Sequence, residues 1–352
     1  MTSWTIRDSQ ELAFDAVHVL RVELVSGHVD VVATHDAPRL EVTSVEGEPL
    51  TVTQEGTQLT IGYDDIPLGG VFGLEGSQTW ERFREWGGFE RGRGESGGEH
   101  TAGPWGAEGY GPGGWHPGPG GWQWPGWGRP RWRRPGWHRP GGPQGPPFDD
   151  PRAWLSNVRR SATLAVAVPE ACQVQLASVS AEAVVSGVAG QVRARGVSGG
   201  LTFDGLSGGT QVQTVSGGVQ ARSLRGPLDF ATASGELTVA SGESDDVRVK
   251  SVNGRVTIDL APPPRGKIDV KTVSGGVSVR LPDTASVDVD LTSMTGNVDA
   301  AFEGLAHERK PGRVTLSGHV GEGSGRLRAK TVSGDIALLR RPPAVTKGKE
   351  SA

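Results

Sequence analysis

The chain has one cysteine, Cys172, among 352 residues, so it forms no internal disulfide and no cysteine-based zinc knuckle. Long hydrophobic runs are missing too, and nothing approaches the ~18 apolar residues of a membrane span. The opening Met1-Thr2-Ser3-Trp4-Thr5-Ile6-Arg7-Asp8 has no basic stretch followed by an apolar one, so no secretory signal is expected. Together these absences lead us to expect a cytoplasmic protein, peripheral to a membrane at most. Charge of one sign is also lacking: a net charge of −4 gives no overall attraction to nucleic acid. Apolar residues make up only 35% and aromatics 6%, which is lean for a helical enzyme. Glycine and proline take their place, with 55 and 24 residues.

Those residues are unevenly spread and divide the chain into parts. Residues 1–64 read as an N-terminal β-strand portion, since Val17–Val25 and Leu50–Thr53 alternate with period two and Leu59–Ile61 follows a turn at Gly56. Residues 65–155 form a low-complexity insertion rich in Gly, Pro, Trp and Arg. Between Pro104 and Pro147 it holds 14 glycines and 11 prolines, which cannot build regular elements, so it is expected to be disordered. The strand pattern returns over 156–340, and 341–352 reads as a disordered tail. Two short helices, Gln78–Trp86 and Arg152–Val158, are expected to flank the insertion and cover the end of the β structure.

The repeat carries the architecture. Gly190, Gly199, Gly208, Gly217, Gly226 and Gly235 recur every nine residues. Apolar residues sit mostly at the same parity, as in Val188, Val192 and Ala194 around Gly190, or Val215, Val219 and Ala221 around Gly217. Residues of one parity share one strand face, so each glycine is expected to point inward, at a crowded corner. Gly254, Gly275, Gly296 and Gly334 continue the unit with longer spacers. One coil is then about 18 to 22 residues with two strands, and stacked coils bury a strip that no single repeat buries alone. The spacing predicts an all-β, repeat-built β-solenoid; an antiparallel meander or sandwich is the alternative.

Val-Ser-Gly-Gly-Val-x-Val, as in Val273 to Val279 and with Ala221 ending Val215 to Ala221, resembles the bacterial β-strand-repeat family catalogued under an adhesin label and of unknown function. Val25-Ser26-Gly27-His28-Val29-Asp30-Val31 is similar to that family's opening, and Leu164–Pro169 to its recurrent strand ending in proline. The resemblance covers about 1–64 and 156–340. It implies a solenoid-like fold, no established catalytic residues, surface display, and for some relatives an association with envelope-stress regulators.

Motifs that suggest catalysis have structural explanations. Gly196-Val197-Ser198-Gly199-Gly200 and Gly205-Leu206-Ser207-Gly208-Gly209 match the G-x-S-x-G nucleophile elbow, but they are neighbouring copies of one repeat with no strand-to-helix context. Gly109–Gly114 matches G-x-G-x-x-G in proline-rich coil with no βαβ unit around it. The nine-residue repeat lacks the G-G-x-G-x-D turn of calcium-binding rolls. The acidic Glu243-Ser244-Asp245-Asp246 reads as a solvated loop. The histidines show no ligand spacing, and no basic neighbour activates Cys172. No cofactor, metal or small-molecule substrate is expected.

Specific contacts are expected in the insertion. Seven of the 11 tryptophans lie between Trp105 and Trp137, and the stretch from Gly109 to Pro147 carries five arginines and no carboxylate. Trp115, Trp122, Trp124, Trp127, Arg129, Arg131, Trp132, Arg133, Arg134 and Trp137 are the candidates for contact with a membrane surface or a protein partner. Indoles favour membrane interfaces, and guanidinium groups favour phosphate headgroups. Functionally, the chain reads as a non-enzymatic scaffold or interaction protein of adhesin-like type, with this tract as its link to the cell envelope or to envelope-stress signalling. One alternative is a nucleic-acid-associated protein using the tract as an arm. Another is a polysaccharide-acting β-helix enzyme, with Asp269, Asp288 and Asp290 as carboxylates of the right type.

Overall fold

Alternation of apolar and polar residues makes each strand bury one face, and Ser161–Pro169 alternates half-buried with buried over its whole length. The computed structural model describes residues 1–66, 68 and 160–341. In chain order the strands are β1 (Thr2–Ile6), β2 (Gln10–Ala13), β3 (Val19–Leu24), β4 (Ser26–Thr34), β5 (Arg39–Glu46), β6 (Leu50–Glu55) and β7 (Gln58–Gly62). After the insertion come β8 (Ser161–Pro169), β9 (Gln173–Ser178), β10 (Glu182–Ser186), β11 (Val192–Gly196), β12 (Leu201–Asp204), β13 (Thr210–Thr214), β14 (Val219–Arg222), β15 (Leu228–Thr232) and β16 (Leu237–Gly242). The last are β17 (Asp246–Asn253), β18 (Val256–Leu260), β19 (Lys267–Ser274), β20 (Val277–Leu281), β21 (Val287–Ser293), β22 (Val298–Ala300), β23 (Ala306–Lys310), β24 (Arg313–Val320), β25 (Gly325–Ser333) and β26 (Ile336–Arg340).

Two sheets result, one of 14 strands and one of 12. From β9 to β20 the odd strands enter the first sheet and the even strands the second, so each successive pair makes one coil. Neighbouring coils pair parallel and in register. Val192 faces Thr210, Thr210 faces Leu228, and Leu228 faces Val247. The fold is therefore the expected β-solenoid, and parallel pairing excludes the meander.

Two coils lie out of chain order. The β25–β26 coil sits between β19–β20 and β21–β22. At the opposite end the β3–β4 coil sits between β7–β8 and β9–β10. The repeat around Gly334, last in sequence, is thus last but one among the parallel coils.

Both ends are closed by antiparallel strands. β6 and β1 extend β7, β5 and β2 extend β8, and β24 with β23 extends β21. At the first end Trp4 meets Phe14 edge to face, with ring centroids 5.7 Å apart. At the other, β23 exposes His307, Glu308, Arg309 and Lys310, a charged edge that discourages further pairing. The two helices expected to flank the insertion lie outside the described residues.

Inward residues of the two sheets form one continuous core, in which Phe203 of β12 and Phe230 of β15 are the largest fully buried side chains. Burying each such large apolar side chain contributes ~1.5–3 kcal/mol. The repeat glycines do not point into this core, contrary to the parity argument. A Cβ on Gly208 would lie 2.1 Å from the carbonyl oxygen of Gly190, and one on Gly226 would lie 2.2 Å from that of Gly208. A second spine runs through Gly199, Gly217, Gly235, Gly254, Gly275, Gly334 and Gly296, with the same clash at 2.0–2.3 Å against the coil below. Gly27 meets Ala162 in the same way. Apart from Gly27, which lies at the start of β4, these glycines sit in turns, where strand alternation has ended, and their bare faces look along the stack.

Candidate functional site

A series of serine hydroxyl groups in the repeat holds coil to coil. Ser180, Ser198, Ser216 and Ser234 each donate from Oγ to a valine carbonyl of the preceding coil, at 3.1–3.3 Å. Thr214 and Thr232, buried two residues earlier in their units, accept the backbone N–H of Gly217 and Gly235 at 3.0 and 2.8 Å. Thr-Val-Ser-Gly is thus a turn-and-stacking motif. Ser198, in the first G-x-S-x-G match, spends its hydroxyl on Val179.

The outer face of the first sheet is ordered into rows by the register. One row, Arg248–Asp269–Arg328–Asp290, alternates in sign across four strands. Arg328 Nε lies 3.3 Å from Asp290 Oδ2. Two residues further along each strand the row reads Lys250–Lys271–Lys330–Thr292. Among the described residues no carboxylate pairs with these three half-buried lysines. Beside them runs an apolar row of Val252, Val273, Val332 and Met294, of which the last three are exposed. Past Thr292 the face opens into a cleft of about 300 Å³, bordered by Thr315, Lys330, Arg313, Asp290 and the ion pair of Lys310 with Glu308.

Sequence reasoning missed this row. A signal was present: Lys271-Thr272-Val273-Ser274-Gly275 and Lys330-Thr331-Val332-Ser333-Gly334 are the same five residues, and Lys250 stands at the matching place before Gly254. Adjacency of Lys271 and Lys330 depends on the out-of-order coil, which the spacing did not reveal.

At the insertion the chain leaves β7 and returns in β8 of the same coil. Arg160 and Asp65 form a two-pronged ion pair, with Arg160 Nη2 2.6 Å from Asp65 Oδ2. The guanidinium also lies 5.4 Å from the centre of the Tyr63 ring. Ser26 Oγ donates to the Arg160 carbonyl at 2.7 Å. The Arg160 hydrogen bond holds the Asp65 carboxyl below its ordinary value. Burial pushes the Tyr63 phenol up to about 12, against the opposing pull of Arg160. The candidate contact residues Trp115, Trp122, Trp124, Trp127, Arg129, Arg131, Trp132, Arg133, Arg134 and Trp137 lie outside the described residues.

Asp269, Asp288 and Asp290 do share the outer face of the first sheet, set beside basic side chains. Asp288 Oδ1 is 3.2 Å from His319 Nδ1, and Arg328 stands between Asp269 and Asp290. His28 lies 3.2 Å from Asp30 and 3.8 Å from Glu182, and His35 lies 3.5 Å from Glu170. Among the described residues no three His, Cys, Asp or Glu side chains are grouped to hold a metal. In the acidic loop Ser244 is buried and donates to the Gly226 carbonyl at 2.8 Å. Cys172 is 1% exposed, and burial pushes its thiol up to about 11.

No curated protein matches the chain. Among solved structures, one from Clostridium sporogenes, provisionally assigned to cell adhesion, aligns over 95% of this chain and 99% of its own at 9% identity and a TM-score of 0.26. The family model described as Toastrack DUF4097 matches residues 158–339, from the approach to β8 through β26, and the chain belongs to that family.

Proposed function

We propose that the protein is a non-enzymatic scaffold of adhesin-like type, held to a membrane surface or an envelope-associated protein by its Trp/Arg tract. The Arg160–Asp65 closure carries this reading, because it fastens both ends of the tract-bearing segment to one coil of a stiff stack. Clustered indoles and guanidinium groups suit an anionic interface, where rings sit at headgroup depth and cations meet phosphates. The serine hydroxyls Ser180, Ser198, Ser216 and Ser234 are spent between coils, Asp290 faces Arg328 and Asp288 faces His319, which suits faces that bind rather than react. On this reading the protein is peripheral, on the cytoplasmic side, and its envelope association is the route to envelope-stress signalling.

Co-sedimentation with anionic and neutral liposomes tests it, using the full chain and a version lacking Pro104–Pro147 while tryptophan emission is followed. The full chain should pellet with anionic vesicles and shift its emission to the blue, and the deletion should abolish both. Both versions staying in the supernatant with unchanged emission would overturn the membrane attachment. So would a salt-dependent shift of a single-stranded oligonucleotide in the absence of vesicle binding.

A further inference from the structure

Like charges directly opposite on adjacent strands repel, and sheets ordinarily avoid or pair them. The row Arg248–Asp269–Arg328–Asp290 obeys that rule on β17, β19, β25 and β21. The outer row of the same strands, Asp246–Lys267–Arg326–Asp288, sets Lys267 opposite Arg326 but places an aspartate against each of them. Lys250–Lys271–Lys330, on the same face, breaks it three strands running. The three cations are spaced by the strand separation of ~4.8 Å and lie in a line perpendicular to the strands. The valine and methionine row runs alongside, and the threonines Thr292 and Thr315 prolong the lysine line into the cleft.

We infer that this double row on the outer face of the first sheet is a binding site for a linear acidic polysaccharide lying along the solenoid axis. Lys250 and Lys330 would take carboxylates two rings apart, Lys271 would meet the hydroxyl groups of the ring between, and Val252, Val273, Val332 and Met294 would meet the C–H faces of the rings. Spacing selects this class of polymer. In an extended peptide, side chains on one face recur every ~6.6 Å, out of step with the lysines after two strands. In an extended uronate polymer the rings alternate in orientation, so carboxylates on one side recur every second ring, about the ~9.6 Å of two strand separations that lie between Lys250 and Lys330. Threonine hydroxyls at the end of the line are suited to ring hydroxyls. This site shares no residue with the Trp/Arg tract, and the inference does not rest on it.

The test uses the full chain with the five tract arginines (Arg129, Arg131, Arg133, Arg134, Arg139) changed to Gln, so that tract binding and face binding are read apart. The probe is polygalacturonate, with neutral dextran and phosphatidylserine vesicles as comparators. Lys250→Gln, Lys271→Gln and Lys330→Gln are combined in one variant. Arg222→Gln, Arg255→Gln and Arg280→Gln, which remove the same charge from elsewhere on the solenoid, form the control. Polygalacturonate should bind with an affinity that falls with salt, dextran should not bind, and the lysine triple should lose at least tenfold while the control changes less than twofold. The thermal midpoint of the lysine triple should not fall, since repulsion is relieved, and this separates lost binding from lost folding. No binding of polygalacturonate, equal losses in both triples, or lysine-dependent binding to the vesicles alone would each overturn the inference.

Discussion

Asp65 and Arg160 are 95 residues apart in sequence and meet in a two-pronged ion pair next to β7 and β8. Loop-closure entropy rises only slowly with length, by ~0.6 kcal/mol per doubling, so the pair tolerates a long segment between its two partners. The Asp65 side chain is 60% exposed, which limits what the contact contributes. Asp65→Asn should cost no more than ~1 kcal/mol, the usual ceiling for an exposed pair. Limited proteolysis should register the change more clearly, with faster cleavage beside Arg160.

The same pair sets a pH dependence. The Asp65 carboxyl is held below its ordinary value of 3.8, so the folded state favours its charged form. A depressed carboxyl stabilises fully above the unfolded value, and that contribution is lost as pH falls through the folded one. Melting curves of the wild type and Asp65→Asn should therefore differ at pH 7 and converge below about pH 4, taking the unfolded value as the upper limit of the window.

The Val-Ser-Gly-Gly units around Gly199 and Gly217 each hold two glycines with opposite tolerances. Gly217→Ala would place a methyl group 2.3 Å from the Gly199 carbonyl oxygen, and backbone must shift to admit it. A loss of ~1–3 kcal/mol is expected, as for overpacking in a core. At Gly200 an added methyl group would meet nothing within 4 Å, and the backbone there has no positive φ. Gly200→Ala should be neutral or stabilising by up to ~1 kcal/mol, through the unfolded chain. Urea denaturation of the two variants checks the contrast.

Phe230 is fully buried among the inward residues of both sheets. Phe230→Ala should cost ~3–5 kcal/mol, the transfer and cavity penalties combined. Chemical denaturation should show an earlier midpoint for this variant than for any change on the outer rows.

Cys172 should resist thiol reagents in the folded protein at pH 8. Its thiol is held above the ordinary value of 9.0 by burial, so the thiolate forms only as pH approaches about 11. In stability terms this contribution is present below the unfolded value and is lost as pH rises through the folded one. Labelling that follows the urea unfolding curve would agree with this; rapid stoichiometric labelling in buffer would contradict it.

The nine-residue glycine spacing made much of the fold legible. A period of two strands per coil follows from it, and with it the parallel stack and the two inward faces. Coil order was not legible, because Val332-Ser333-Gly334 looks like every other copy and nothing local distinguishes an outer berth from an inner one. Strand parity gives no guide to the direction of Gly208 and Gly217, since it does not extend into a turn. Lys250, Lys271 and Lys330 each look like an ordinary exposed charge in sequence, and their alignment exists only once β25 is seated against β19. The Arg160–Asp65 contact joins residues on either side of the insertion, where periodicity offers no guide.

A stack of near-identical coils has a weakness: one coil can slide to its neighbour's berth with little local penalty. Threading β3–β4 and β25–β26 inside coils that precede or follow them in the chain removes that freedom. A slip at either end would drag a connection across the stack. The same threading makes assembly wait on synthesis, because β25 takes its berth beside β19 only after β21 to β24 have been made. Chain order and spatial order disagree at both ends, and that disagreement keeps the repeats in register.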